Sequence, residues 1–222
     1  MGLRKRRHSS RRKREAFTDE DRRLVFQGAA VLLDYPDDPD GLALVIDALG
    51  DLDAAPHRRL HGFAVDFATV AQIEREQRYV ETFDLRRRAS LHLTYYRDGD
   101  TRRRGASLAD MRDRQRVLGA QSDPSELPDY LPLLLEVAAT LPGGDAVLSE
   151  HLAGLELLRS SLHDIGSPFE EVIGAVLEVL PPLDDHGRDA VAVLAQQGPP
   201  IEEVGISVTE VEISPGRARS HS

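Results

Sequence analysis

The 222-residue chain contains no cysteine. That excludes disulfides, thiolate metal sites and thiol nucleophiles, and it suits a reducing compartment. No apolar run approaches the roughly 20 residues that a membrane-crossing helix needs. No alternating apolar and polar stretch of useful length marks a strand, and no internal repeat is visible. Lysine is nearly missing: Lys5 and Lys13 are the only two, so arginine alone supplies the later Lys/Arg charge. Arginine stays charged and forks onto carboxylates, although genomic base composition accounts for the same bias.

Signatures of catalysis are missing too. There is no G-x-S-x-G elbow, no P-loop and no G-x-G-x-x-G. His57 and His61 have helical ligand spacing, but the pattern supplies no third ligand. Ser160, Ser161, His163 and Asp164 lack the strand and elbow of a hydrolase. Asp184-Asp185-His186 reads as a polar loop after a double proline, and Thr101–Arg104 as a solvated arginine-rich loop. The expectation is a protein with no catalytic residue, no metal and no cofactor of its own.

What is present is charge, unevenly placed. Eight of the 28 Lys and Arg lie in residues 1–14, which hold no acid. The remainder carries twenty cations against 38 acids, a formal balance of -18. An acidic body disfavours nucleic acid and favours a cationic partner. No apolar stretch follows the basic arm as a secretory signal requires, and Arg6 stands where myristoylation requires Ser or Thr. A cytoplasmic location is expected.

Helical periodicity fills the middle of the chain. Thr18 can cap a helix whose first turn holds Asp19, Glu20 and Asp21, with Leu24, Val25, Ala29 and Leu32 on its apolar side. A short helix is expected over about Gly41–Leu49. Leu60, Phe63, Ala64 and Phe67 share one face, and Ile73, Tyr79, Val80 and Phe83 continue a second. An irregular region, Arg86–Gly105, precedes a helix marked by Leu108, Met111 and Leu118. Leu131, Leu134, Leu135, Ala138 and Leu141 mark another, beginning near Asp129. Leu148, Leu152, Leu155 and Leu162 suggest one long helix. Ser167-Pro168-Phe169-Glu170 reads as a capping box opening the Val172–Leu180 stripe, and a last helix is expected near Arg188–Gln196. The fold class is therefore all-α: a single helical-bundle domain, residues 18–198. A disordered basic arm (1–17) and a flexible C-terminal tail (199–222) flank it, and Val208, Val211 and Ile213 could form a short extended piece.

Two stretches concentrate binding chemistry. YVETFDLRRRASLHLTYYRDGDTRRRG, Tyr79–Gly105, sets Tyr79 and Phe83 beside Glu81 and Asp84. It then alternates arginines with Leu91, Leu93, Tyr95 and Tyr96. It reads as a surface gripping an apolar, cationic segment, or as a core helix followed by a charged loop. ELPDYLPLLLE, Glu126–Glu136, sets Glu126 and Asp129 around Pro128. These acids either serve a helix N-terminus or form the rim of a groove that takes arginine.

YVETFD, LHLTYYRDGDTRRRG and ELPDYLPLLLE, in this order and spacing, resemble the NarJ family, within the wider TorD and DmsD group of redox-enzyme chaperones. The resemblance implies a TorD/NarJ-like helical bundle and a private chaperone. Such a protein binds the N-terminus of the nitrate reductase catalytic (alpha) subunit. It holds that subunit for molybdenum cofactor insertion before membrane docking. The resemblance also implies that the region of Glu126, Pro128, Asp129 and Tyr130 takes the leader peptide; many relatives carry His where this chain has Tyr130. On this reading Glu126 and Asp129 meet basic leader residues, and Tyr79, Phe83, Tyr130 and Leu134 meet its apolar part. No stable nucleic-acid partner and only transient membrane proximity are expected. The alternative is a helical adaptor that uses the basic arm on nucleic acid or an anionic membrane surface. A further reading folds that arm back on the acidic body.

Overall fold

The computed structural model describes residues 17–197 except 122 and 124. The basic arm (apart from Phe17) and the C-terminal tail, with Val208, Val211 and Ile213, lie outside the described residues. The described chain is helical without a strand, as its periodicity predicts.

Helix α1, Asp19–Leu33, begins with Thr18. The Asp21 amide donates to Thr18 Oγ1 at 3.1 Å, and the Thr18 amide donates back to Asp21 Oδ2 at 2.9 Å. Such a reciprocal cap satisfies two donors that the helix end leaves open and stabilises it by about 1 kcal/mol. Val25, Phe26, Ala29, Ala30, Leu32 and Leu33 bury its inner face. Around α1 pack α2 (Pro39–Leu49), α3 (Ala55–Ala68), α7 (Leu131–Thr140) and α10 (Glu170–Val179). Helix α9, Leu152–Asp164, joins α10 to α11, Asp185–Gln197.

The core centre is aromatic. Phe169 is 1% exposed. Its ring centroid lies 5.1 Å from Phe63, 5.6 Å from Phe67, 4.8 Å from Phe83 and 6.3 Å from Tyr79. This cluster brings α3 against α10 and the segment that carries Tyr79 and Phe83. Helix α4, Gln72–Tyr79, runs into a π-helical turn, Val80–Asp84. That turn brings the Phe83 ring to 4.9 Å from Tyr79 and continues the aromatic stack.

Several local expectations are corrected. The Arg86–Gly105 region is not irregular throughout: α5, Leu93–Asp98, lies within it, and α6, Arg102–Leu118, begins before its end. Helix α5 packs on α9 where Gly154 admits the Tyr96 ring; a Cβ at Gly154 would stand 3.2 Å from Tyr96 Cβ. The expected long helix is two, α8 (Asp145–Glu150) and α9, broken at His151. Ile73, read as part of an apolar face, is 63% exposed, while Arg75 on the same helix is buried. The capping box at Ser167 does not form. The Glu170 amide donates to the Ser167 carbonyl at 3.1 Å, and Ser167 Oγ is left without a partner. Phe169, drawn into the aromatic cluster, sets that entry turn in place of the serine.

Candidate functional site

The three quoted motifs meet where the chain entering α7 crosses the chain entering α5. The Leu93 amide donates to the Asp129 carbonyl at 3.0 Å, and the Leu131 amide to the Leu91 carbonyl at 2.8 Å. His92 and Tyr130 thus form an isolated antiparallel bridge between two helix entries.

Asp129 closes this clasp with its side chain. It is fully buried. His92 Nδ1 donates to Oδ1 at 2.9 Å and the Thr94 amide to Oδ2 at 3.3 Å. The Thr94 hydroxyl donates to the same oxygen. Arg104 of α6 donates to Oδ2 at 3.5 Å and to Thr94 Oγ1 at 3.3 Å. Burial pushes the Asp129 carboxyl up. The hydrogen bonds from His92 and Thr94, with the charges of His92 and Arg104, outweigh that and hold it below its ordinary value. Asp129 therefore serves a helix start, but that of α5, 35 residues back in sequence. It is not an open acid at a groove rim.

Neighbouring groups complete the clasp. Gln115 of α6, wholly buried, donates to the Pro128 carbonyl at 2.8 Å, and Arg112 donates to the Glu126 carbonyl at 3.0 Å. On the other side Tyr79 donates to the Leu33 carbonyl at 3.2 Å. The Tyr130 hydroxyl donates to Asp34 Oδ1 at 3.2 Å and lies 3.0 Å from the Tyr79 oxygen. Burial pushes the Tyr79 hydroxyl up to about 12, and burial with the Tyr79 contact raises Tyr130 as well. Both phenols are neutral at physiological pH. Tyr130→Phe removes the bridging proton and is expected to cost about 1 kcal/mol in urea unfolding; no loss would show that the bridge carries no stability.

Of the seven residues singled out by sequence, the structure brings six into this neighbourhood as buried or half-buried groups. Tyr79, Phe83, Pro128, Asp129 and Leu134 are buried, and Tyr130 is half-buried. Glu126 is exposed beside them. Sequence reasoning missed His92, Thr94 and Arg104 as one set, although all three lie in the quoted motif. It also missed Asp34 and Gln115, which no local pattern marks.

Two histidines of the constellations weighed for catalysis or metal binding make contacts between elements. His57, 1% exposed, places Nε2 3.3 Å from the Asp21 carbonyl and ties α3 to the start of α1. His163 Nδ1 donates to Glu170 at 2.9 Å. No cluster of three or more His, Cys, Asp or Glu side chains suited to a metal occurs among the described residues. Among the described residues, no helix is long and apolar enough to cross a membrane.

Fold and site together define an all-helical domain whose helix entries are clasped through motif residues, the class that the motif resemblance implies. A family model described as nitrate reductase delta subunit matches residues 34–172. The chain belongs to that family, and specifically to its NarJ group. It is similar to the probable nitrate reductase molybdenum cofactor assembly chaperone NarJ of Bacillus subtilis, 32% identical over 170 residues, covering 72% of this chain and 90% of that protein. NarJ of Escherichia coli, a nitrate reductase molybdenum cofactor assembly chaperone, is 30% identical over 159 residues, covering 67% and 66%. Nitrate reductase-like protein NarX of Mycobacterium tuberculosis is 33% identical over 155 residues. The chain spans about a quarter of that relative's length, 24% of it against 69% of this chain.

Proposed function

We propose that this protein is a cytoplasmic assembly chaperone for respiratory nitrate reductase. It binds the N-terminal segment of the catalytic subunit and holds that subunit for molybdenum cofactor insertion before membrane docking. It performs no chemistry of its own. The observation that carries the reading is the meeting of all three NarJ-like motifs at one clasp, in a chain related to named assembly chaperones.

Roles divide by exposure. Glu126 and the outer part of Tyr130 contact the partner segment, the first through a cation and the second through apolar surface. Asp129, Pro128, Tyr79, Phe83 and Leu134 lie behind them and fix the shape of that surface. The strongly acidic balance beyond residue 14 complements a segment that is basic and then apolar.

Calorimetric titration with a peptide matching the N-terminus of the host's nitrate reductase catalytic subunit tests the reading. The expected result is saturable binding that weakens with salt, with none for a composition-matched scramble. Glu126→Gln is expected to weaken it by about two- to fivefold, the range of an exposed charge contact. Equal behaviour of true and scrambled peptides would overturn the proposal.

A further inference from the structure

Beside the clasp, where α1 ends, the chain turns through Asp34–Asp38 and leaves a cleft of about 150 Å³. Phe67 of α3, Arg75 of α4 and Glu136 of α7 line it from three other helices. The cleft has two unmatched kinds of charge.

Its walls are acidic. Asp34, Asp37, Asp38 and Glu136 all line it, and among the described residues no ion pair reaches any of the four. Burial, then the charges of Asp34 and Glu126, hold the Glu136 carboxyl above its ordinary value. A cation placed here would relieve that repulsion.

Its inner side holds Arg75, which is only 8% exposed. The guanidinium carbon lies 6.0 Å from the Phe67 ring centroid, and Nε has no hydrogen-bond partner. Among the described residues no carboxylate pairs with it. A buried Nε–H left without an acceptor is costly.

One ligand chemistry answers both. A simple anion would satisfy Arg75 but meet four carboxylates. A free cation would suit the walls and leave Arg75 unmatched. A basic residue within a polypeptide brings a side-chain cation and backbone carbonyl oxygens a few ångströms apart.

We infer that this cleft is a subsite for one arginine or lysine of a partner polypeptide, its cation among Asp34 and Glu136 and its backbone carbonyl on Arg75. The inference rests on the peptide-binding reading above and deepens it. Position supports it, because Asp34 belongs both to the cleft and to the Tyr130 bridge, so the subsite is continuous with the clasp. The chain's own basic segment, residues 4–14, is a poorer occupant. It has no apolar residue to set against Leu32, Leu42, Tyr35 and Phe67 in the same cleft.

The test is titration of the full isotope-labelled chain with N-acetyl-L-arginine methylamide, followed by amide NMR, with the norleucine analogue as control. Saturable shifts confined to Asp34–Asp38, Gly41 and the Glu136 region are expected with the arginine compound alone. Glu136→Gln, an exposed substitution that spares the fold, is expected to weaken binding by roughly tenfold, as for loss of a charged contact. Arg75→Met is expected to weaken it too, with its fold checked by circular dichroism. Absent shifts, or shifts scattered over the acidic surface, overturn the subsite. Binding that tightens when residues 1–14 are deleted shows that the arm is the occupant, which overturns assignment to a partner. Leader peptide binding that is intact but insensitive to Glu136→Gln sinks the subsite alone; no leader binding to the wild-type chain sinks the chaperone reading instead.

Discussion

Replacing Asp129 with alanine is expected to lower the melting temperature of the domain by about 10 °C. The carboxylate is fully buried and accepts from His92, Thr94 and Arg104. Removing it takes one acceptor from the Thr94 hydroxyl and amide, the His92 ring and the Arg104 guanidinium. Breaking a buried charged network of this kind costs roughly 3–5 kcal/mol, and each kcal/mol is worth about 2–4 °C in a domain of this size. The start of α5 loses its cap, and the two helix entries lose the side chain that joins them. Asp129→Asn keeps the shape but presents donors where donors already converge, so it should be destabilised nearly as much.

The pH dependence follows in sign. The folded-state pKa of Asp129 lies below its unfolded value. Its contribution is fully present above the unfolded value, about 3.9, and is lost as pH falls through the folded one. The difference in stability between wild type and Asp129→Asn should therefore shrink on acidification below about pH 4. A difference that persists undiminished at lower pH would mean that the charge is not what the clasp uses. Because Asp129 acts beneath the surface, loss of peptide affinity in either variant should track loss of folded protein. A variant that stays folded yet loses all peptide affinity would instead make the carboxylate a direct contact.

The second large effect is expected at Phe169. Its ring joins Phe63, Phe67, Phe83 and Tyr79 into one cluster and is 1% exposed. Phe169→Ala removes that volume from a close-packed site and is expected to cost about 3–5 kcal/mol. The urea midpoint should fall while the slope of the transition is unchanged. Tyr79 carries the hydroxyl network on one side of the clasp, so the damage should reach the Tyr130 bridge as well. A loss below about 1 kcal/mol would show that the neighbouring rings collapse into the space.

The acidic pattern of Glu126–Glu136 shows where sequence reasoning stopped. Its spacing marked a helix start with two carboxylates, and the motif marked the neighbourhood. The pattern could not say that Asp129 turns inward to cap a different helix. That depends on Thr94 and Arg104 arriving from 35 and 25 residues away. Likewise Asp34 meets Tyr130 across 96 residues, a pairing no local periodicity encodes. At Ser167 the local capping rule failed because burial of Phe169 outweighs one serine hydrogen bond. At Ile73 an apolar residue faces water while its neighbour Arg75 goes inside, because α4 turns its aromatic end toward Phe169.

By itself the amino-acid sequence determined the helical class, the Thr18 cap, the apolar faces of α1, α3, α7 and α10, and the family motifs. These depend on residues three or four apart, and short-range sterics and hydrogen bonding decide them wherever they fold. Only the tertiary structure decided which acid is buried and which is open, how the motifs clasp one another, and that Arg75 and four carboxylates line one cleft. Those outcomes depend on charges and rings from distant segments sharing one low-dielectric space, where a partner's position, not its residue type, sets the energy.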